Sequence, residues 1–129
     1  MPVTELPGNC CLRRLPRRGD DRGSLIAIEA LRDVPFAIER IYYIFGTGHG
    51  AHSGFRAHRN LRQMAICVSG SCALTLDDGR ERREVVLDDP SMGLEIGPMI
   101  RPELQRFSEN AVLVVLASGI PEEADQIPA

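Results

Sequence analysis

The stretch Gly54-Phe55-Arg56-Ala57-His58 sets two side chains capable of acid–base or electrostatic work two residues apart. On an extended strand residues i and i+2 share a face, so Arg56 and His58 are expected to project together while Phe55 and Ala57 face away. A histidine titrates near neutrality and can act as a general base, or it can serve as a hydrogen-bonded structural group. A neighbouring guanidinium disfavours the imidazolium, which keeps His58 neutral and able to accept a proton. The same guanidinium offers a permanent positive charge to a developing oxyanion. Proton abstraction next to a stabilised negative charge is the chemistry this pair can perform.

Metal chemistry needs more donors than this. Metal-binding barrels of the cupin type carry histidine at both positions, a glutamate a few residues later and a further histidine on a late strand. Here those slots hold Arg56, Gln63 and, in "GPMIRPELQRF", Pro102 or Gln105. His58 alone cannot hold a metal and Arg56 would repel one, so neither a metal nor any other cofactor is expected. His49 and His52, in the glycine-rich "GTGHGAHSG", could chelate only weakly and are read as part of a mobile lid or connector between strands. Cys10, Cys11, Cys67 and Cys72 show no zinc-type pairing; the last two sit in an apolar strand pattern where a reduced thiol acts as a small hydrophobe.

Other groups can join the pair. In "IERIYYIF" Arg40 and Tyr42 share one face and Ile41 and Tyr43 the other, so one of Tyr42 and Tyr43 is expected to point inward, where its hydroxyl needs a partner. Arg22, in "DDRGSL", stands at the entry to the first clear strand.

Composition bounds what can position these residues. The chain has 129 residues and is 43% hydrophobic, enough for one compact domain with a core. Fifteen basic residues against eighteen acidic give a net charge of −3, which points to no nucleic acid and no anionic membrane surface. Every basic residue is arginine, and the absence of lysine excludes Schiff-base chemistry and a P-loop. The first thirty residues hold no apolar run of seven and nothing later approaches eighteen, so a cytoplasmic protein is expected.

Residues 1–19, with three prolines and an arginine cluster, read as a loose arm or an edge strand, and residues 20–129 as the folded domain. From Ser24 onward short apolar segments follow one another, cut by turns: "SLIAIEA", "FAIERIYYIF", "QMAICVSG", "CALTLDDG", "REVVLDD", "MGLEIGP" and "AVLVVLAS". Asp77-Asp78-Gly79 supplies the Asp-Gly pair of a tight hairpin. Strand signals about every ten residues, with no amphipathic helix, predict an all-β sandwich or small jelly-roll barrel able to enclose one small ligand.

The run "DDRGSLIAIEALRDVPFAIERIYYIFGT", "GFRAHRNLRQ", "GSCALTLDDG", "VVLDDPSMGLEIGP" and "VLVVLAS" resembles the dTDP-4-keto-6-deoxyglucose 3,4-ketoisomerase family of sugar-nucleotide cupins. The resemblance covers residues 18 to 127 and is carried by the order of the motifs. It implies a double-stranded β-helix (cupin jelly-roll) barrel, a homodimer with exchanged N-terminal strands, and metal-free isomerisation of a dTDP-linked 4-keto-6-deoxyhexose. It further implies an enediol and a 3-keto product destined for amination in deoxyamino-sugar biosynthesis, for O-antigen or S-layer glycans. The family motif Arg-Gly-x-His-Ala-His aligns with Ser53 to His58, so the second histidine is retained as His58 and the first has become Arg56.

In "GPMIRPE" the relatives carry an aromatic residue followed by a histidine, or in another subgroup an arginine, before the glutamate; here Arg101 and Pro102 stand there. That slot bears on galacto or gluco stereochemistry at C4, and Arg22 matches the galacto-type pattern. By resemblance, His58, Arg56, Tyr42 and Tyr43 are the expected catalytic residues, and Arg22, Arg40, Gln63, Arg101 and Glu103 the expected substrate-binding residues. Two alternatives remain: a nucleotide-sugar-binding cupin that has lost catalysis, and an epimerase-type enzyme on a related dTDP-sugar.

Overall fold

The computed structural model describes residues 6–8, 10–47, 52–54 and 60–119. Among these residues there is no helix, and eleven strands run in chain order. They are β1 (Cys11–Arg14), β2 (Arg18–Asp20), β3 (Gly23–Leu25), β4 (Arg40–Phe45), β5 (His52–Gly54) and β6 (Gln63–Ser69). The remainder are β7 (Cys72–Asp77), β8 (Arg82–Leu87), β9 (Met92–Ile96), β10 (Arg101–Gln105) and β11 (Val112–Ala117). A five-stranded sheet in the order β1-β9-β6-β11-β4 faces a four-stranded sheet in the order β5-β10-β7-β8, while β2 and β3 pair only with each other. This is the expected cupin-type barrel.

Alternation decides what each sheet buries. On β4 the odd-numbered Ile41, Tyr43 and Phe45 are exposed, whereas Tyr42 and Ile44 pack against the interior. On β10 it is Pro102 and Leu104 that are buried. Between the sheets, Ala65, Cys67, Leu74, Leu76, Leu94, Leu113 and Val115 form the main core. β6 is buried on both faces for four residues, Met64 to Cys67, because its outer face is covered too.

That cover corrects the sequence reading. "SLIAIEA" and the start of "FAIERIYYIF" were expected as strands, yet β3 ends at Leu25 and β4 begins at Arg40. Residues 26–38 instead lie across the outside of the five-stranded sheet. There Ile26, Ile28, Val34, Phe36 and Ile38 pack with Leu15, Met64, Ile66 and Leu116 in a second core. Burial alone accounts for these apolar residues, without a strand ladder.

One ion cluster staples this cover. Glu95, whose side chain is only 6% exposed, accepts hydrogen bonds from Arg13 at 2.6 Å and from Arg62 at 3.1 Å. Arg62 also donates to the Pro35 carbonyl and lies over the Phe36 ring, 5.8 Å from its centroid. Cys11 completes the group, its thiol 3.5 Å from the same carboxylate.

The turns follow the sequence signals. Asp77 and Asp78 accept from the backbone amides of Gly79, Arg80 and Glu81, and Gly79 takes a φ of 94° between β7 and β8. At the β6–β7 turn Gly70 has a φ of 68°, and a Cβ there would meet Ser108 Oγ at 2.3 Å and the Ala111 Cα at 3.0 Å. Both the left-handed backbone and the missing space demand glycine. Gly70→Ala is expected to destabilise the fold by about 2 kcal/mol, read as an equilibrium denaturation midpoint shifted without a change in slope.

Residues 11–14 adopt the edge-strand form, antiparallel to β9 with Cys11 opposite Glu95, and β2 runs across residue 19. His52, read as loop, opens β5 and pairs with Gln105.

Candidate functional site

The inner face of the five-stranded sheet is organised in rows. Directly opposed residues of antiparallel strands point the same way, so Arg40, Ala117, Gln63 and Ile96 form one row from β4 to β9. Tyr42, Val115, Ala65 and Leu94 form the next, and Ile44, Leu113 and Cys67 the third. Polarity falls along these rows. Arg40 and Gln63 stand at one end, Tyr42 beside them, and aliphatic side chains and a thiol below.

A small cavity opens between the sheets here, lined by Tyr42, Gln63, Ala65, Ile96, Val115 and Pro102 together with Leu74, Leu104 and Leu113. Tyr42 and Gln63 bring the side-chain hydrogen-bonding groups of that lining. Burial pushes the Tyr42 hydroxyl above its ordinary pKa, while the Arg40 charge and a hydrogen bond from Gln63 act against that rise. The phenol is therefore protonated at neutral pH. The Arg40 guanidinium carbon sits 4.9 Å from the centroid of the Tyr42 ring, a cation–π contact that fixes the ring's orientation. A neutral phenol and an amide thus share the lining of a small, otherwise apolar cavity, with a guanidinium packed on the phenol's ring. Such a group can hold and hydrogen-bond a polar ligand whose far end is apolar.

The structure sorts the other expected site residues. Of the two tyrosines, Tyr42 is the inward one; Tyr43 is 63% exposed and stacks on Phe45, with ring centroids 5.8 Å apart. Arg101 and Glu103 alternate with Pro102 and Leu104 and so leave β10 on its outer face, where Glu103 meets Arg82 at 3.2 Å. Strand parity thus sends Pro102, not its charged neighbours, into the cavity. Arg22 lies at the β2–β3 turn with 87% of its side chain exposed and pairs with Asp20 at 2.8 Å, apart from the cavity. Arg56, His58 and His49 lie outside the described residues. Among the described residues no cluster of three His, Cys, Asp or Glu side chains could hold a metal.

Sequence reasoning missed the apolar floor of Ala65, Leu74, Ile96, Val115 and Leu113. Each was legible as a core residue, but only strand register places them under the tyrosine.

Residues 8–128 match the family model described as FdtA: WxcM-like, C-terminal. The chain is 46% identical over 108 residues to the TDP-4-oxo-6-deoxy-alpha-D-glucose-3,4-oxoisomerase of Aneurinibacillus thermoaerophilus, covering 84% of this chain and 78% of that protein. Among solved structures it is similar to a mutant of the 3,4-ketoisomerase QdtA from Thermoanaerobacterium thermosaccharolyticum in complex with TDP-4-keto-6-deoxyglucose. The TM-score is 0.90 at 38% identity, over 95% of this chain and 88% of that one. It is likewise similar to the WlaRB TDP-quinovose 3,4-ketoisomerase of Campylobacter jejuni, with a TM-score of 0.87, 44% identity and 92% of each chain covered. With a two-sheet barrel, an inward phenol and amide, and a match that spans nearly its whole length, this chain belongs to the FdtA, WxcM-like C-terminal family.

Proposed function

We propose that this protein is a sugar-nucleotide 3,4-ketoisomerase acting on dTDP-4-keto-6-deoxyglucose. The observation that carries the reading is the pairing of Tyr42 and Gln63 in the lining of an otherwise apolar cavity, with Arg40 packed on the Tyr42 ring, in a chain 46% identical to a TDP-4-oxo-6-deoxyglucose 3,4-oxoisomerase. His58 removes the proton at C3, which the neighbouring C4 ketone acidifies. Electron density moves onto O4, O4 gains a proton, and Arg56 stabilises the negative charge of the enediolate. O3 then gives up its proton as C4 takes one, and a 3-ketone results with no net oxidation or reduction. Tyr42, held protonated, is the hydrogen-bonding partner and proton carrier, while Arg40 and Gln63 hold the sugar. Tyr43, Arg101 and Glu103 face away from the described cavity, and Arg22 lies at the β2–β3 turn apart from it.

Proton NMR with dTDP-4-keto-6-deoxyglucose in D₂O tests the reading. Deuterium entry at the exchanging carbon together with a 3-keto product supports it, and the same spectra give the C4 configuration. Binding without exchange would replace it with the second reading, a binding cupin without turnover, which Pro102 favours because it brings no side-chain donor into the cavity. Exchange with a different product would make the chain an epimerase-type enzyme on a related sugar.

The two tyrosines provide a sharper comparison. Tyr42→Phe is expected to lower kcat on the order of 10²-fold, while Tyr43→Phe leaves kcat unchanged, because only the first hydroxyl faces the cavity. Equal effects in steady-state assays would remove Tyr42 from the mechanism.

The reading includes a homodimer with exchanged N-terminal strands in the cytoplasm, supplying a 3-keto sugar for amination. The short edge strand β1 and the exposed Ile41, Tyr43 and Phe45 on the outer face of β4 support self-association. Light scattering should give about twice the 14.2 kDa chain mass, and Phe45→Glu should shift it toward one chain.

A further inference from the structure

All four cysteines are free thiols, and two of them, Cys67 and Cys72, meet inside the barrel. Cys67 lies on β6 in the five-stranded sheet and Cys72 opens β7 in the four-stranded one. Residues 68–71 alone connect the two strands, with Gly70 left-handed at the turn, so the chain crosses from sheet to sheet here and brings the cysteines together. Both side chains are buried in the main core, and the two thiols hydrogen-bond to each other.

Their surroundings make the pair unequal. A hydrogen bond from Cys72 and backbone hydrogen bonds at Ser69 and Val112 outweigh burial and hold the Cys67 thiol below its ordinary range. The bulge in the β6–β11 ladder brings these backbones to the sulfur: Val112 pairs with Ser69 while its neighbour Leu113 already pairs with Cys67. Cys72 donates within the pair, and that bond together with burial raises its thiol above the usual value. The thiolate is the nucleophilic form, so Cys67 is the more reactive sulfur, with a second thiol already directed at it. The other two cysteines are held as thiols. Burial pushes Cys10 up to about 11, and burial with the Glu95 charge raises Cys11.

We propose that Cys67 and Cys72 are a peroxide-oxidisable dithiol: Cys67 reacts, Cys72 resolves, and the reversible disulfide ties the two sheets together at the β6–β7 turn. The Cys67 thiolate attacks one oxygen of hydrogen peroxide; an S–O bond forms, the O–O bond breaks, and hydroxide leaves to become water with the Cys67 proton. Cys72 then attacks the Cys67 sulfur, forming the S–S bond and breaking S–O, and the departing hydroxide takes the Cys72 proton as a second water. Two thiols lose two electrons and one peroxide is reduced to two waters. Burial selects the oxidant by size. Hydrogen peroxide, little larger than water, reaches the pair through brief local openings, whereas glutathione disulfide is excluded. The proposal is independent of the ketoisomerase reading.

Peptide mapping of the wild-type protein tests it. Cleavage at arginine leaves both cysteines in one peptide, Gln63 to Arg80, and places Cys10 and Cys11 in another. After peroxide the 63–80 peptide should lose two hydrogens and escape alkylation in denaturant, and dithiothreitol should restore it. Glutathione disulfide should leave it unchanged. Two alkylated cysteines after peroxide, or a stable gain of oxygen at Cys67, overturn the proposal, as does equally fast oxidation by glutathione disulfide. The oxidised protein should melt a few degrees higher, and an unchanged melting temperature overturns the tie between the sheets. A Cys72→Ala variant that melts cooperatively should show a Cys67 sulfenic acid captured by dimedone. Capture at Cys72 in Cys67→Ala would reverse the two roles and overturn the assignment; the wild-type mapping depends on neither variant.

Discussion

Replacing His58 with asparagine is expected to lower kcat by roughly 10²- to 10⁴-fold while leaving the affinity for the nucleotide sugar nearly intact. Asparagine keeps a polar group of similar reach and abolishes the capacity to take a proton at C3. Because Arg56 stands where the family motif has its first histidine, no second imidazole in that motif is present to take over. A guanidinium stays protonated at any pH the protein survives. The rate should therefore depend on His58 as the one base at C3, and deuterium entry at that carbon should fall in step with kcat in the variant. Arg56→His tests the division of labour from the other side: it should restore a second proton carrier and weaken the fixed charge on the enediolate. Turnover of His58→Asn within a few-fold of wild type would remove His58 as the base.

The second large effect concerns stability. Burial alone would push the Glu95 carboxyl up, but hydrogen bonds and charge from Arg13 and Arg62 outweigh it and hold the group below its ordinary value of 4.5. A carboxyl whose folded pKa is depressed contributes stability that is present above its unfolded pKa and lost as pH falls through the folded value. The wild type should thus hold this contribution at pH 7 and lose it progressively below about pH 4.5. Glu95→Gln keeps the shape and discards the charge, so its melting temperature should be lower by several degrees at pH 7 and fall less steeply into acid.

Arg62→Ala goes further, because it strips Glu95 of one partner and the 26–38 cover of its Pro35 and Phe36 contacts. A loss of about 2 kcal/mol is expected, below the usual cost of breaking a fully buried pair because Arg62 is about one-third exposed and Arg13 remains. Parallel acid limbs for wild type and Glu95→Gln would show that the ion cluster does not set the acid stability.

The effect reaches the site through the backbone. Arg62 is followed by Gln63, and Glu95 by Ile96, the pair that faces across β6 and β9 at the cavity. Loosening the outer staple should therefore disturb the inner row.

Local chemistry was enough to make several features legible in the sequence. Apolar runs of strand length, the Asp77 to Gly79 turn and the missing helical period fix an all-β barrel, because hydrogen-bonded alternation and turn geometry are short-range properties. The order of motifs named the family, and the period of two established that only one of Tyr42 and Tyr43 could face inward.

Which one faces inward was decided by the tertiary structure, through the pairing of Tyr42 with Val115 and of Val115 with Ala65. The same long-range register turned Pro102 into the cavity and Arg101 and Glu103 out of it. Residues 26–38 show why the sequence could not go further: Ile26, Ile28 and Phe36 are as apolar as any strand, and only the exposed back of β6 and β11 makes them a cover. Hydrophobicity records that a residue is buried. Against which surface it is buried depends on residues far away in the chain, and here that choice assembles an apolar floor beneath one phenol, one amide and one guanidinium.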